Sequence, residues 1–218
     1  MNTILIIFLG IDGAGKTTLT NEVMRLLKEK YKLRFKYVWF RSKTQIYLSD
    51  KIFRHSTKVK QMPKSHEKKN PNNISNLCRN LILYPILFDY FMIIIFLIKI
   101  PMLLGYNIIC DRYIYDIILD LSSDFGYTQE KTKKLLRLNI FQSPDIIYFI
   151  NVPSDIAKKR RPEHSIEELN DKIKTLNQFK EYSKFSRIIN LDGTDKLDIL
   201  IQKIDKSLLE HGVVVLDE

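Results

Sequence analysis

Residues Gly10 to Thr17 read G-I-D-G-A-G-K-T, directly after the apolar run Thr3–Leu9, T-I-L-I-I-F-L. That run is β-branched and aromatic, the composition of a strand buried in a parallel sheet. The glycines let the backbone curl so that successive N–H groups of Gly10, Asp12, Gly13, Ala14, Gly15, Lys16, Thr17 and Thr18 can face phosphates. At this spacing Lys16 sets a point charge between β- and γ-phosphates, and the Thr17 hydroxyl reaches Mg²⁺. Thr17–Lys30 then keeps helical period, with Leu19, Val23, Leu26 and Leu27 on one face. The positive end of that helix aims at the same phosphates.

Outward from the loop, strands alternate with helices. Phe35–Phe40 is a second strand, ending at Arg41, and residues 42–73 are a polar, strongly basic excursion. The excursion is either a solvated charge run or a flap over an anionic substrate. A long helix, Ile74–Ile98, is expected to end before Pro101. Asn107–Cys110 is a third strand, ending at Asp111, and helices follow over Ile114–Ser122 and Thr128–Leu138. Asp145–Asn151 is a fourth strand. The short basic helix Ser154–Arg161 leads to Pro162, and Ser165 with Glu168 forms a capping box for a helix reaching about Tyr182. Arg187–Leu191 is a fifth strand, ending in Asp192, Gly193 and Thr194. Lys196–Leu209 is the last helix, and the tail Val213–Leu216 is an edge strand or loose. This order predicts one α/β domain over 1–218: a three-layer P-loop NTPase fold, with a five-stranded parallel sheet, helices on both faces and a small lid at about 154–168.

Composition narrows the function classes. Hydrophobic residues make up 45% and charged residues 28% of 218, an ordinary soluble balance. The net charge of +10 suits nucleic acid, a membrane surface or an anionic small substrate. There is no basic–aromatic interleaving of an RNA platform, so nucleic acid is not an expected partner. The cysteines, Cys78 and Cys110, and the histidines, His55, His66, His164 and His211, show no zinc spacing. The N-terminus reads as a strand rather than a signal peptide, so a cytoplasmic location is expected. Leu81–Leu104 is very apolar, but Asp89, Lys99, Pro85 and Pro101 interrupt it. Its longest uncharged run, Phe91–Ile98, is far shorter than the about 18 residues of a span, so no membrane partner is expected. The helix is read as core, or as core plus a homodimer interface through about 81–98.

In parallel sheets ligands lie at the carboxyl ends of the strands. Those ends deliver the loop, Arg41, Asp111 with Arg112, the basic run Lys158–Arg161, and Asp192–Thr194. Arg41 and Arg112 are placed to hold an acceptor phosphate by bidentate pairing. Asp111 binds Mg²⁺ through water or orients Arg112. Successive helical residues point about 100° apart, so one or two cations of the 158–161 run reach phosphates.

These features together resemble the thymidylate kinase family of nucleoside-monophosphate kinases, over most of the chain. The resemblance rests on F-L-G-I-D-G-A-G-K-T-T (Phe8–Thr18), Arg41, I-I-C-D-R-Y (Ile108–Tyr113), V-P-S-D-I-A-K-K-R (Val152–Arg160) and L-D-G-T (Leu191–Thr194). It implies that Asp12 contacts the acceptor sugar, that Arg41 holds the acceptor phosphate, and that Asp192–Thr194 packs on the donor adenine. Ala14 implies a catalytic arginine supplied by the lid, Arg160, with Arg161 as the alternative. The resemblance puts Ile86 and Tyr90 at the base-stacking positions, with Phe88 as an alternative. It puts Tyr113 beside the acceptor and Asp116 where a Ser or Asn is expected. Asp116 would then face a base amino group, a ribose or Arg112.

The resulting expectation is ATP- and Mg²⁺-dependent phosphorylation of a nucleoside monophosphate, dTMP to dTDP first. Lys16, Arg160, Arg112 and Asp111 are the catalytic set, and Thr17 and Asp111 the metal set. The alternatives are the same fold with another acceptor, a nucleotide-binding switch or nucleic-acid-binding ATPase, and a kinase-like binder without turnover.

Overall fold

The structure, a computed structural model, describes residues 3–39, 76–124, 126–138, 141–182 and 187–212. Arg41, the 42–73 excursion and the tail Val213–Leu216 lie outside the described residues. At the centre is β1 (Leu5–Gly10), every residue of which is buried. Side chains pointing to either face therefore need apolar cover, which is why the strand shows no polar alternation.

The other strands are β2 (Phe35–Trp39), β3 (Asn107–Asp111), β4 (Ile146–Asn151) and β5 (Ile188–Asp192). They form one five-stranded sheet in the order β2-β3-β1-β4-β5, and every neighbouring pair is parallel. Two crossovers build outward to β2 and back to β3, and the chain then passes β1 to start β4. The strand order reverses at β1, so a crevice opens at its carboxyl end, where the glycine-rich loop lies. Buried residues fill β3 and most of β4 as well, so both faces of the central sheet are covered.

Helix α1 (Lys16–Glu29) follows the loop and packs against α8 (Leu197–Glu210). Asp205 on α8 ties the two together, accepting from Lys30 Nζ at 2.5 Å and from the Tyr31 hydroxyl at 2.7 Å. Elsewhere, α4 (Ile114–Asp124) packs on α5 (Gln129–Leu136), and α5 on α7 (Ile166–Tyr182). The short α6 (Ser154–Arg160) packs on α7. The expected capping box forms: Ser165 Oγ accepts from Glu168 N, and Glu168 Oε2 accepts from Ser165 N, both at 3.1 Å.

The long apolar helix departs from its sequence reading. It runs as α2 (Asn76–Ile94), a π-turn (Ile95–Lys99) and α3 (Ile100–Leu103), passing through Pro101 instead of ending before it. Proline lacks the N–H that would reach the carbonyl four residues back, and its ring crowds that carbonyl. The π-turn relieves the conflict by widening the ladder just upstream, where Ile100 N–H reaches the Ile95 carbonyl. Pro101 then falls in the first turn of α3, a position proline tolerates.

One face of this helix is core: Leu83, Ile86, Leu87, Tyr90, Ile94 and Ile98 recur at helical period and are buried. The opposite face is apolar and exposed, from Tyr84 and Phe88 through Phe96, Leu97 and Ile100 to Leu103 and Leu104. Leu83–Leu103 has a mean hydropathy of 2.2 with 33% of the window buried, and is long and apolar enough to cross a membrane by length and composition.

Candidate functional site

A cavity of about 480 Å³ opens at the carboxyl ends of β1, β2 and β3. Its floor is the glycine-rich loop and the start of α1, with Asp12, Gly13, Gly15, Lys16, Thr17 and Thr18 on the wall. The loop closes on itself through Ala14 N to the Ile11 carbonyl at 3.1 Å. Two glycines are required by the backbone. Gly13 has φ +85°, and a Cβ there would lie 2.6 Å from the Ala157 carbonyl oxygen. Gly15 caps α1 in the left-handed region with no side-chain hydrogen bond to the helix start, and a Cβ there would meet nothing within 4 Å. The first-turn N–H groups of α1 therefore have an open approach, the geometry that accepts an anion.

Lys16 is buried and curls back on the loop, its Nζ donating to the Gly10 and Ile11 carbonyls at 2.8 Å each. Burial pulls its ammonium down to about 8, with Arg112 adding to the effect and Asp12, Asp116 and Asp111 opposing it. Beside it the Thr17 hydroxyl donates to Asp111 Oδ2 at 2.6 Å. A hydroxyl and a carboxylate in contact, next to a ready anion site, fit a magnesium ion held by Thr17 and, through water, by Asp111. Among the described residues there is no cluster of three His, Cys, Asp or Glu side chains able to hold a metal ion.

The charges of the loop are already matched within the protein. Asp12 pairs with the Arg112 guanidinium, takes a hydrogen bond from Lys172 Nζ at 3.1 Å, and lies 3.6 Å from His164 Nε2. Burial alone would push the Asp12 carboxyl up, but Arg112, Lys172 and Lys16 outweigh it and hold it well below the usual range. His164 Nδ1 in turn lies 3.8 Å from Glu168 Oε2, the capping-box carboxylate. Arg112 stands at the end of β3 with φ +68°, a conformation costly for a side chain of its size, held by its N–H to the Phe8 carbonyl at 3.2 Å. Burial would lower its pKa; Asp116 and Asp12 outweigh that and raise it.

From the lid side, Arg160 clasps two loops. One guanidinium nitrogen donates to the Gly13 carbonyl at 3.2 Å and the other to the Gly193 carbonyl at 3.1 Å. The Asp192–Thr194 turn is held by Asp192 Oδ1, which accepts from Thr194 N at 2.9 Å and its hydroxyl at 2.6 Å. Gly193 fits tightly against Val152, where a Cβ would come within 2.4 Å of Cγ2.

Of the residues expected at the site, Asp12, Gly13, Gly15, Lys16, Thr17, Thr18, Asp111, Arg112, Arg160 and the alternative lid arginine, Arg161, share the cavity wall. Gly10, Ala14, Asp192, Gly193 and Thr194 lie off that wall, and Gly193 adjoins it through its carbonyl bond from Arg160. Asp116 is buried behind Arg112, its Oδ2 accepting from Tyr113 N at 3.2 Å, and burial pushes it up to about 6 against the pull of Arg112 and Lys16. The Tyr113 ring is buried and its hydroxyl donates to the Gln142 carbonyl at 2.6 Å. Ile86 and Tyr90 are 1% and 2% exposed in the core face of α2 and do not line the cavity. Arg41 lies outside the described residues.

The sequence reading passed over Tyr37 and Trp39 of β2, and Glu163, His164 and Lys172 of the lid side. Tyr37 and Trp39 line the cavity, 37% and 44% exposed, and the Tyr37 hydroxyl reaches Asp111 Oδ2 at 3.4 Å. Their i, i+2 spacing at a strand's carboxyl end was the available signal. Glu168 and Lys172 stand four residues apart on one face of α7, and His164 lies just before the helix starts. No protein-family model matches the chain, and a search of curated proteins gave no match.

Proposed function

We propose that the chain is an ATP- and Mg²⁺-dependent phosphotransferase of the thymidylate kinase type on a P-loop fold, passing a phosphoryl group to a nucleoside monophosphate, dTMP first. One observation carries the proposal. The uncapped start of α1, Lys16, the Thr17–Asp111 pair and the cations Arg112 and Arg160 all border a single cavity of about 480 Å³. That volume suits small ligands, for which about 300–1,000 Å³ is usual.

In this reading the α1 N–H groups and Lys16 hold the donor phosphates. Thr17 and Asp111 would hold magnesium, which offsets phosphate charge when bound. Arg112, with Arg41, takes the acceptor phosphate, and Arg160 leaves the two loop carbonyls to meet the transferring group. Arg112 is kept in place by Asp12 until an anion competes for it, so the pocket is charge-compensated before binding.

A second reading, the same chemistry on a different acceptor, is favoured by the base-stacking positions. Ile86 and Tyr90 face the core, while the aromatic wall of the cavity is Tyr37 and Trp39. The deciding experiment offers ATP and Mg²⁺ with a panel of nucleoside monophosphates, nucleosides and polynucleotide ends, following ADP formation. Turnover with dTMP alone supports the first reading and turnover with another acceptor the second. ATP binding without turnover leaves a nucleotide-binding protein that is not a kinase.

A further inference from the structure

Given the acceptor role proposed for Arg112, we infer that Lys172 is a positioning residue for acceptor binding: it keeps Asp12 paired when Arg112 leaves that carboxylate for the acceptor phosphate. Lys172 is not on the cavity wall, so it acts through Asp12 rather than by contact with a ligand.

Asp12 is a carboxylate shared between two cations. Its Oδ1 pairs with the Arg112 guanidinium at the end of β3, and its Oδ2 accepts from Lys172 Nζ at 3.1 Å. The Asp12 side chain is 14% exposed, so the carboxylate is mostly out of water. A charge in that setting is costly once it loses its partner. His164 Nε2 lies 3.6 Å from the same Oδ2, beyond hydrogen-bond length, and does not stand in for Lys172. Burial would raise the Asp12 carboxyl, and Arg112, Lys172 and Lys16 together reverse this.

The fold delivers Lys172 from behind the loop. Leu169 and Leu176, three residues before it and four after, are buried, so the face of α7 that carries Lys172 turns toward the protein. The Ser165–Glu168 capping box fixes the start of α7, and the helix packs on α5 and α6. The two cations therefore differ in what they can do. Arg112 borders the cavity and can be drawn to an anion there, while Lys172 stays with the loop. With both present, Arg112 exchanges Asp12 for a phosphate and the carboxylate keeps a hydrogen-bonded cation. Without Lys172 the same exchange strips a largely buried carboxylate of that cation. Arg112 would then hold to Asp12, and the acceptor would compete for it less well. Donor phosphates at the start of α1 do not require Arg112 to move, which makes ATP affinity the internal control.

The test is calorimetry of the full chain with a panel of nucleoside monophosphates, and separately with ATP and Mg²⁺. Lys172→Met should weaken monophosphate binding about tenfold and leave ATP binding within about twofold. Lys172→Arg should restore monophosphate binding, since it keeps the charge and a donor. In an Asp12→Asn background no carboxylate charge holds Arg112, so Lys172→Met should change monophosphate binding by less than about twofold. Lys172→Gln is the second variant should Lys172→Met lower the urea midpoint. Monophosphate binding that Lys172→Met leaves intact, an equal loss for ATP, or the same loss in the Asp12→Asn background would each overturn the inference alone. A wild-type chain that binds no monophosphate overturns the acceptor reading and the inference with it.

Discussion

The cavity and the outer face of the long helix are built from opposite chemistry and are completed in opposite ways. In the cavity the protein supplies its own counter-charges: Arg112 and Lys172 pair with Asp12, and Arg160 spans two carbonyls. On the helix the apolar side chains from Tyr84 to Leu104 are left exposed while the same helix buries its other face. A polar site can be kept ready by internal partners that a ligand displaces. An apolar surface has no such internal substitute, since only another apolar body removes it from water.

The largest effect that separates the two regions is expected at Lys16. Lys16→Ala should abolish turnover and lower ATP affinity by at least about 100-fold, measured by calorimetry. Because burial draws the Lys16 ammonium down to about 8, ATP affinity should fall as pH rises through that value. The fall should vanish in Lys16→Arg, which stays protonated. Full activity in Lys16→Ala would break the phosphate-site reading of the cavity.

Next in size is the buried side of the helix. Ile98 is fully buried beside the π-turn. Ile98→Ala should cost about 2–4 kcal/mol in chemical denaturation.

How much of this was legible in the sequence depends on how local each cause is. The octet at Gly10–Thr17 is contiguous, so loop, helix start, Lys16 and Thr17 all lie where the motif puts them. The Ser165–Glu168 capping box is equally local. Asp12 with Arg112 joins residues a hundred positions apart, and no pattern in the chain announces that pair. The long helix fails for another reason. A segment apolar all round has no moment to tell which face is buried, and the π-turn that carries it past Pro101 is a backbone adjustment with no residue signature. Tyr37 and Trp39 show strand alternation, but only the register that sets Trp39 beside Asp111 brings them to the cavity.

Asp116 connects the cavity to the fold's stability. Its folded carboxyl sits at about 6 against an ordinary 3.8, raised by burial. A raised carboxyl favours folding below its unfolded value, and that contribution is lost as pH climbs through about 6. Asp116→Asn should therefore be more stable than wild type by roughly 2 kcal/mol at pH 7.5 and no more stable at pH 4, read from urea unfolding at both. A stability difference that does not change with pH would mean the carboxyl is not titrating in its buried setting.

Trp39 is the only tryptophan, so its fluorescence reports on the cavity without a label. Stacking of a ring on an aromatic side chain contributes about 1–3 kcal/mol. Trp39→Ala should accordingly raise the acceptor KM by roughly tenfold with a smaller effect on kcat, and acceptor titration should shift wild-type emission. An unchanged KM would return the search for the acceptor pocket to the core side of the long helix.

The smallest expected effect is the most discriminating for the comparison. Leu103 projects from the apolar tip, so Leu103→Ser removes almost no packing and should change stability by less than about 0.5 kcal/mol. Ile98, five residues earlier on the buried side, sets the scale for a contact that matters. If Leu103→Ser instead costs as much as Ile98→Ala, the tip is covered in lipid-free solution. A second copy would then be the cover, and the unfolding midpoint should rise with protein concentration. A concentration-independent midpoint with no effect of Leu103→Ser leaves the face open in water.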